Sequence, residues 1–201
     1  MSPDLAAFDV IRAVALGFAL AAAVGLRIFV PLLVVSAAAL TGHLELSGSF
    51  AWLASPAALI VLAVATLLEL AAYKVPWLDN LLDAAGAPVA VLAGTLMMAS
   101  ALDGTDPLLR WTMAAVAGGG TAGAVHGSLA LLRKLSSLTT GGLANPLISM
   151  AEGIGSLALS VVALLLPIAA LVAAALIVAL LVVLIRRGRA RRGGPLPPAA
   201  G

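Results

Sequence analysis

Between Leu5 and Arg192 the chain is an almost unbroken succession of apolar residues, interrupted only by short polar segments. Hydrophobic residues make up 63% of it and charged residues 10%, against roughly 25% charged in an ordinary soluble domain. The stretches 144–166 and 164–185 approach the ~20 apolar residues that span a hydrocarbon core. A chain immersed in lipid must satisfy its backbone polar groups internally, which leaves helices or a closed barrel. The alternating pattern of barrel strands is absent. The expected fold is therefore all-α: a polytopic transmembrane bundle forming one domain over residues 1–192, followed by a disordered tail over 193–201.

Six hydrophobic blocks can be read, at residues 8–41, 52–73, 86–102, 107–132, 145–166 and 167–185. The first is too long for one core thickness, since at about 1.5 Å per residue it reaches roughly 50 Å against a core near 30 Å. It is either one tilted, protruding helix, or two pieces broken around Gly25-Leu26-Arg27 and Pro31. Ser55-Pro56 places Pro at the first position of a helix. The segment from Pro76 to Asp83 looks amphipathic, with Trp77 as an interfacial anchor. Pro167 marks a tight turn or a kink, and the length of the segment favours the turn.

Charge orients the blocks. Five of the eleven basic residues lie in the tail, as Arg186, Arg187, Arg189, Arg191 and Arg192. A basic cluster directly after an apolar helix is a cytoplasmic stop and a contact for anionic lipid, so nucleic acid is not the expected partner. Lys74, Arg133 and Lys134 fall on the same side as the tail, while the opposite loops carry Glu45, Asp103 and Asp106. If the first block crosses once, the result is six spans with both termini cytoplasmic. Blocks one to three and four to six then form two odd-numbered sets, which admits a 3+3 inverted repeat with a broken first helix. Gly25 and Gly123 each interrupt the first helix of their half.

Ionisable residues inside a membrane cost several kcal/mol unless they are paired or hydrated. Arg27, Glu69, His126 and Glu152 stand out on that ground. Glu69 can neutralise Lys74 or Arg12, or serve a polar pathway. His126, about 10 Å in from Arg133, and Glu152, equally far in from Asn145, would meet if their helices are adjacent and antiparallel. Asn145, Ser149, Glu152 and Ser156 follow one face of a helix and line a seam. Gly119, Gly123 and Gly127 recur every four residues, as small residues do where helices pack closely in lipid. The chain has no cysteine, which removes thiol chemistry, iron–sulfur clusters and Cys-ligated zinc. No hydrolase or metalloprotease motif is present. No enzyme activity, metal or cofactor is therefore expected, although Asp79, Asp83 and His43 near the interfaces could serve a lipid-directed enzyme.

Three stretches carry a family resemblance: Gly25-Leu26-Arg27-Ile28-Phe29-Val30-Pro31-Leu32, then 69–79 with Lys74-Val75-Pro76 inside it, then Asn145-Pro146-Leu147-Ile148-Ser149-Met150-Ala151-Glu152. In order and spacing they resemble a bacterial integral-membrane family, domain of unknown function 4126, over roughly residues 10–166. Tyr73 stands where the family is expected to favour an acidic residue beside Lys74. The resemblance implies a multi-pass protein of the inner (plasma) membrane and brings no established activity.

The leading functional expectation is a transporter or channel for a small ion or small polar solute. Its internal pathway would be lined by Arg27, Glu69, His126, Asn145, Ser149 and Glu152. The alternative is a structural or accessory subunit whose glycine faces bind partner helices, including those of a homo-oligomer. In either case the lipid bilayer is the main surrounding partner.

Overall fold

The computed structural model describes residues 3–46, 48–72 and 76–190, with backbone alone at 3–6, 76–84 and 189–190. Every regular element among them is helical. In chain order these are α1 (Pro3–Leu26), α2 (Phe29–Leu40), a 3₁₀ helix (Gly48–Ala54), α3 (Pro56–Ala72), α4 (Pro76–Ala101), α5 (Pro107–Met113), a π-helical stretch (Ala114–Gly119), α6 (Gly120–Thr140), α7 (Asn145–Leu165) and α8 (Pro167–Ala190). Four helices are long and apolar enough to cross a membrane, counting Pro107–Thr140 as one. The total is five if the 3₁₀ helix and α3, bent by 70° at Ser55, form one span. The chain is thus an all-helical protein with the spans of a membrane protein.

The centre of the bundle is α1, which packs against α4, α6, α7 and α8. From Ala19 to Leu26 it is buried on every face, which lipid-facing helices cannot be. Its composition explains this. Ala19, Ala21, Ala22 and Ala23 put no bulk between backbones, and without a hydrophobic driving force between helices, close van der Waals contact is what holds a bundle in lipid. At Gly25 an added Cβ would lie 2.5 Å from Val125 Cβ and 2.8 Å from the Ala122 carbonyl oxygen. At Gly94 of α4 it would lie 2.4 Å from Ala122 Cβ and 2.8 Å from the Gly118 carbonyl oxygen. These positions set how closely α1, α4 and α6 approach.

The first hydrophobic block is not one continuous helix. It ends α1 at Leu26 and begins α2 at Phe29. The direction of α2 follows from its neighbours: its first amides meet Glu69 near the end of α3, and its Ser36 hydroxyl donates to the Leu53 carbonyl before α3 begins. α2 therefore runs back alongside α3 and against α1. As a result the chain ends separate. Phe8 and Arg12 of α1 share a hollow with Leu165–Ala169 at the turn between α7 and α8, whereas Gly188 near the end of α8 lies against Leu135 in the second half of α6. Phe8 of α1 and Gly188 of α8 thus lie towards opposite ends of the bundle, because the break turns the chain back before α3 begins.

Pro167 begins α8 directly after Leu166, and α7 and α8 pack on each other as a tight helical hairpin. The second half of the chain has no counterpart to the α1–α2 break. Its first helix carries a π-helical stretch at Ala114–Gly119 and continues. The segment expected to be interfacial, from Pro76, forms the opening turns of α4; the Trp77, Asp79 and Asp83 side chains, together with Lys74 and the tail 193–201, lie outside the described residues. At the end of the bundle that holds the α4–α5 connection, Arg110 pairs with Asp103 at 2.7 Å, donates to the Ala99 carbonyl at 2.8 Å and stacks 5.0 Å above the Phe50 ring.

Gly94→Val is expected to destabilise the protein by about 1–3 kcal/mol, the usual cost of overpacking a filled core. Gly120 has nothing within 4 Å of an added Cβ, so Gly120→Ala is expected to be neutral, or to gain up to about 1 kcal/mol from helix propensity. Thermal unfolding in mild detergent checks both.

Candidate functional site: a buried charge cluster at a helix break

Breaking a helix inside lipid leaves backbone N–H groups without partners, each costing several kcal/mol if nothing answers it. α2 meets that cost in two ways. Pro31, in its first turn, has no N–H to satisfy. Glu69 reaches across from α3 and accepts from Ile28 N at 2.8 Å and from Phe29 N at 3.1 Å, one with each carboxylate oxygen. The carboxylate sits at the positive end of the α2 dipole, where negative charge is favoured. Arg27 and Arg133 also act on it electrostatically.

Arg27 is the residue at the break itself and is 1% exposed. It ends α1 by donating its own N–H to the Ala23 carbonyl. Its guanidinium reaches α7, donating to the Ser149 carbonyl at 2.8 Å and to Ser149 Oγ at 2.5 Å, with Glu152 at 3.6 Å. Glu152, 3% exposed, is in turn gripped by Arg133 of α6, 4% exposed, through Nε to Oε1 at 3.1 Å and Nη2 to Oε2 at 3.2 Å. That two-point geometry matches the fork of a guanidinium to both oxygens of a carboxylate. Along the same edge of α7, Ser156 donates to the Ala23 carbonyl at 2.9 Å and Ser160 to the Ser156 carbonyl at 2.7 Å. α7 thus turns a polar edge towards α1 and α6.

Two guanidiniums and two carboxylates, Arg27, Arg133, Glu69 and Glu152, balance to zero formal charge. They join α1, α2, α3, α6 and α7 at one level of the bundle. That level is shown by depth: Arg133 lies seven residues before Thr140, where α6 ends, and Glu152 lies seven residues after Asn145, where α7 begins.

The family described as Domain of unknown function (DUF4126) matches the chain over residues 14–187. The chain belongs to that family. All four charged members of the cluster fall within the DUF4126 match, as do the break, the whole of α2 and α1 from Val14 onward. No curated protein matches the chain. No solved structure matches it either.

Of the residues singled out in this DUF4126 chain, the fold brings Arg27, Ser149 and Glu152 into direct contact and sets Glu69 beside them. His126 does not meet Glu152. It is buried against α4, where a Cβ on Gly86 would lie 2.8 Å from its Nε2. The mismatch has a simple origin. Arg133 was expected at the membrane boundary, whereas α6 runs two turns further to Thr140, so equal depth with Glu152 belongs to Arg133. Asn145 also stays apart, donating from its amide to Ser137 Oγ at 2.9 Å at the α6–α7 turn. Glu69 spans to α2 rather than to Arg12, which lies at the far end of α1 over the Phe8 ring; Lys74 is outside the described residues. Gly119 and Gly123 face Val91 of α4, while Gly127 has open space before it. His43 is exposed and bonded to the Thr41 hydroxyl.

Glu152→Ala removes the carboxylate that two buried guanidiniums share and is expected to destabilise by about 3–5 kcal/mol. Arg133→Ala leaves Arg27 facing Glu152 and is expected to cost less. Glu69→Ala strips two amides of their acceptor and is expected to cost about 1–3 kcal/mol for each. Unfolding curves in bicelles give the order.

Proposed function

We propose that the protein is a membrane-embedded transporter or channel for a small ion or small polar solute, with the Arg27–Ser149–Glu152–Arg133 cluster and Glu69 as its polar site. The observation that carries this is the pairing of a helix break with three buried charges and the half-buried Glu69. A bundle needing only to stand in lipid gains nothing from either feature, since well-packed apolar residues are commonly as stable as, or more stable than, buried ion pairs. Broken helices whose ends face polar groups are how many small carriers hold a solute within the bilayer. Movement of α2 relative to α7 would part Arg27 from Ser149 and open the site, with Glu152 exchanging a guanidinium partner for the solute.

A second possibility, a structural subunit, is favoured by one observation: the cluster is self-neutralising. The hollow of about 410 Å³ that reaches Glu152 is walled mainly by Leu and Ile, including Leu26, Leu129, Ile148 and Leu181. The two possibilities separate in proteoliposomes assayed with a panel of small anions, cations and neutral polar solutes. A carrier site predicts that Glu152→Gln slows the transported solute by about tenfold or more, only about 1.4 kcal/mol at the barrier. Wild-type rates in Glu152→Gln and Glu69→Gln for every solute moved would leave the structural role.

We also propose the orientation. Lys134, Arg186 and Arg187 sit at the end of the bundle where α6 and α8 finish, and basic residues face the cytoplasm. The C-terminal tail is then cytoplasmic in an inner membrane, the N-terminus is on the opposite side, and the chain makes seven traverses counting the short α2. Because the chain contains no cysteine, single substitutions report cleanly. A membrane-impermeant maleimide added to intact cells is expected to label His43→Cys and to spare Ser137→Cys.

A further inference from the structure

The two carboxylates of the cluster are held in opposite ways. Glu152 is 3% exposed, paired with Arg133 through both oxygens and with Arg27 at 3.6 Å. A proton on it would leave two buried guanidiniums facing a neutral group, which costs several kcal/mol. Glu69 is half-buried and makes no ion pair with any described residue. Both its oxygens are taken by neutral donors, the Ile28 and Phe29 amides. It stands one turn before Ala72, where α3 ends, at the end of the bundle where Arg27 meets the start of α7. Few charges surround it. Arg27 of α1 and Arg133 of α6 act on it electrostatically, and Glu152 of α7 is held by those same guanidiniums. α2 and the 3₁₀ helix carry no titratable residue. His126 of α6 faces Gly86 of α4 instead. α4 also bears Asp79 and Asp83, whose side chains, with Lys74, are outside the described residues.

We propose that Glu69 is the proton-binding residue of the cluster, and that the proton releases the start of α2. A proton delivered by water at the near interface adds to one carboxylate oxygen and makes it a hydroxyl. One amide then faces that hydroxyl and the other a neutral carbonyl, both weaker acceptors than a carboxylate. The attraction between the carboxylate and the positive end of α2 is lost with the charge. Ile28 directly follows Arg27, so loosening the cap loosens the backbone that carries the guanidinium to Ser149. The proposal rests on the carrier reading for its consequence, since it makes the proton the ion that frees α2 to part from α7. Proton binding itself is measured without any solute.

The test uses the full chain in lipid nanodiscs, with glutamate labelled at its carboxyl carbon and read by NMR. The chain holds three glutamates, Glu45, Glu69 and Glu152, and Glu69→Gln assigns one signal by deleting it. Between about pH 9 and about pH 4, a span that covers most carboxylate protonation in proteins, the Glu69 signal is expected to shift in one step. The Ile28 and Phe29 amide signals should shift with the same midpoint, and any step in Glu152 should come at lower pH. Across the Glu69 step both amides should exchange about tenfold faster relative to those of α8, as expected when a charged acceptor becomes neutral. Glu69→Gln keeps the shape and one carbonyl, and should hold both amides in the acid-side state at every pH. A Glu152 step at higher pH than that of Glu69, or no Glu69 step in that span, would overturn the proposal. So would amides indifferent to the Glu69 step, or amides that still respond to pH in Glu69→Gln. Either result leaves the flux comparison of Glu152→Gln to be decided on its own.

Discussion

In hydrocarbon a backbone amide without an acceptor has no water to turn to, and that single constraint organises this bundle. The chain interrupts its first long helix at Arg27–Ile28 and so creates the orphan amides that lipid punishes. Glu69 answers them from α3 with both carboxylate oxygens. A carboxylate placed there is itself a half-buried charge and calls for cations. Arg27 and Arg133 act on it, and they bring Glu152 with them to complete the balance. Each polar group in the cluster is thus a consequence of another, and the sequence of obligations begins at the break.

The small residues of α1 make that cluster reachable. With Ala along most of its buried face and Gly25 beneath the Ala122 carbonyl, α1 lets α6 and α7 come close enough for Arg133 and Glu152 to converge beside Arg27. A bulkier central helix would widen the bundle and stretch these bonds. Packing and chemistry are therefore coupled through the distance between backbones. Spare volume remains where the short α2 leaves space beside α3 and α7, and between α6, α7 and α8 next to Glu152.

Much of this was legible in the chain. The apolar blocks and the scarcity of charge give the all-helical membrane class. Pro56, Pro107 and Pro167 stand at helix starts, and the Gly25–Arg27–Pro31 group offered the break as one of two options for the first block. What misled was Arg133. A basic residue followed by Lys134 looks like a loop signal, yet α6 is two turns longer than its apolar block because Ser136, Ser137, Thr139 and Thr140 continue the helix past it. The depth comparison that drew His126 towards Glu152 was sound in form, and it failed because its origin was misplaced by seven residues. The role of Glu69 was hidden for a different reason. Its partners are the backbone amides of Ile28 and Phe29, which carry no side-chain signature and become acceptor-hungry only once a helix ends before them.

Hydrogen exchange at the amides of Ile28 and Phe29 tests the central claim most directly. If the Glu69 carboxylate caps α2, both amides exchange as slowly as those inside α1. In Glu69→Ala they then exchange roughly tenfold to a hundredfold faster, the span that corresponds to about 1–3 kcal/mol, while the amides of α8 keep their rates. Exchange at Ile28 and Phe29 as fast as at the exposed Gly42 and His43 in the unaltered protein, or rates indifferent to the loss of Glu69, would contradict it.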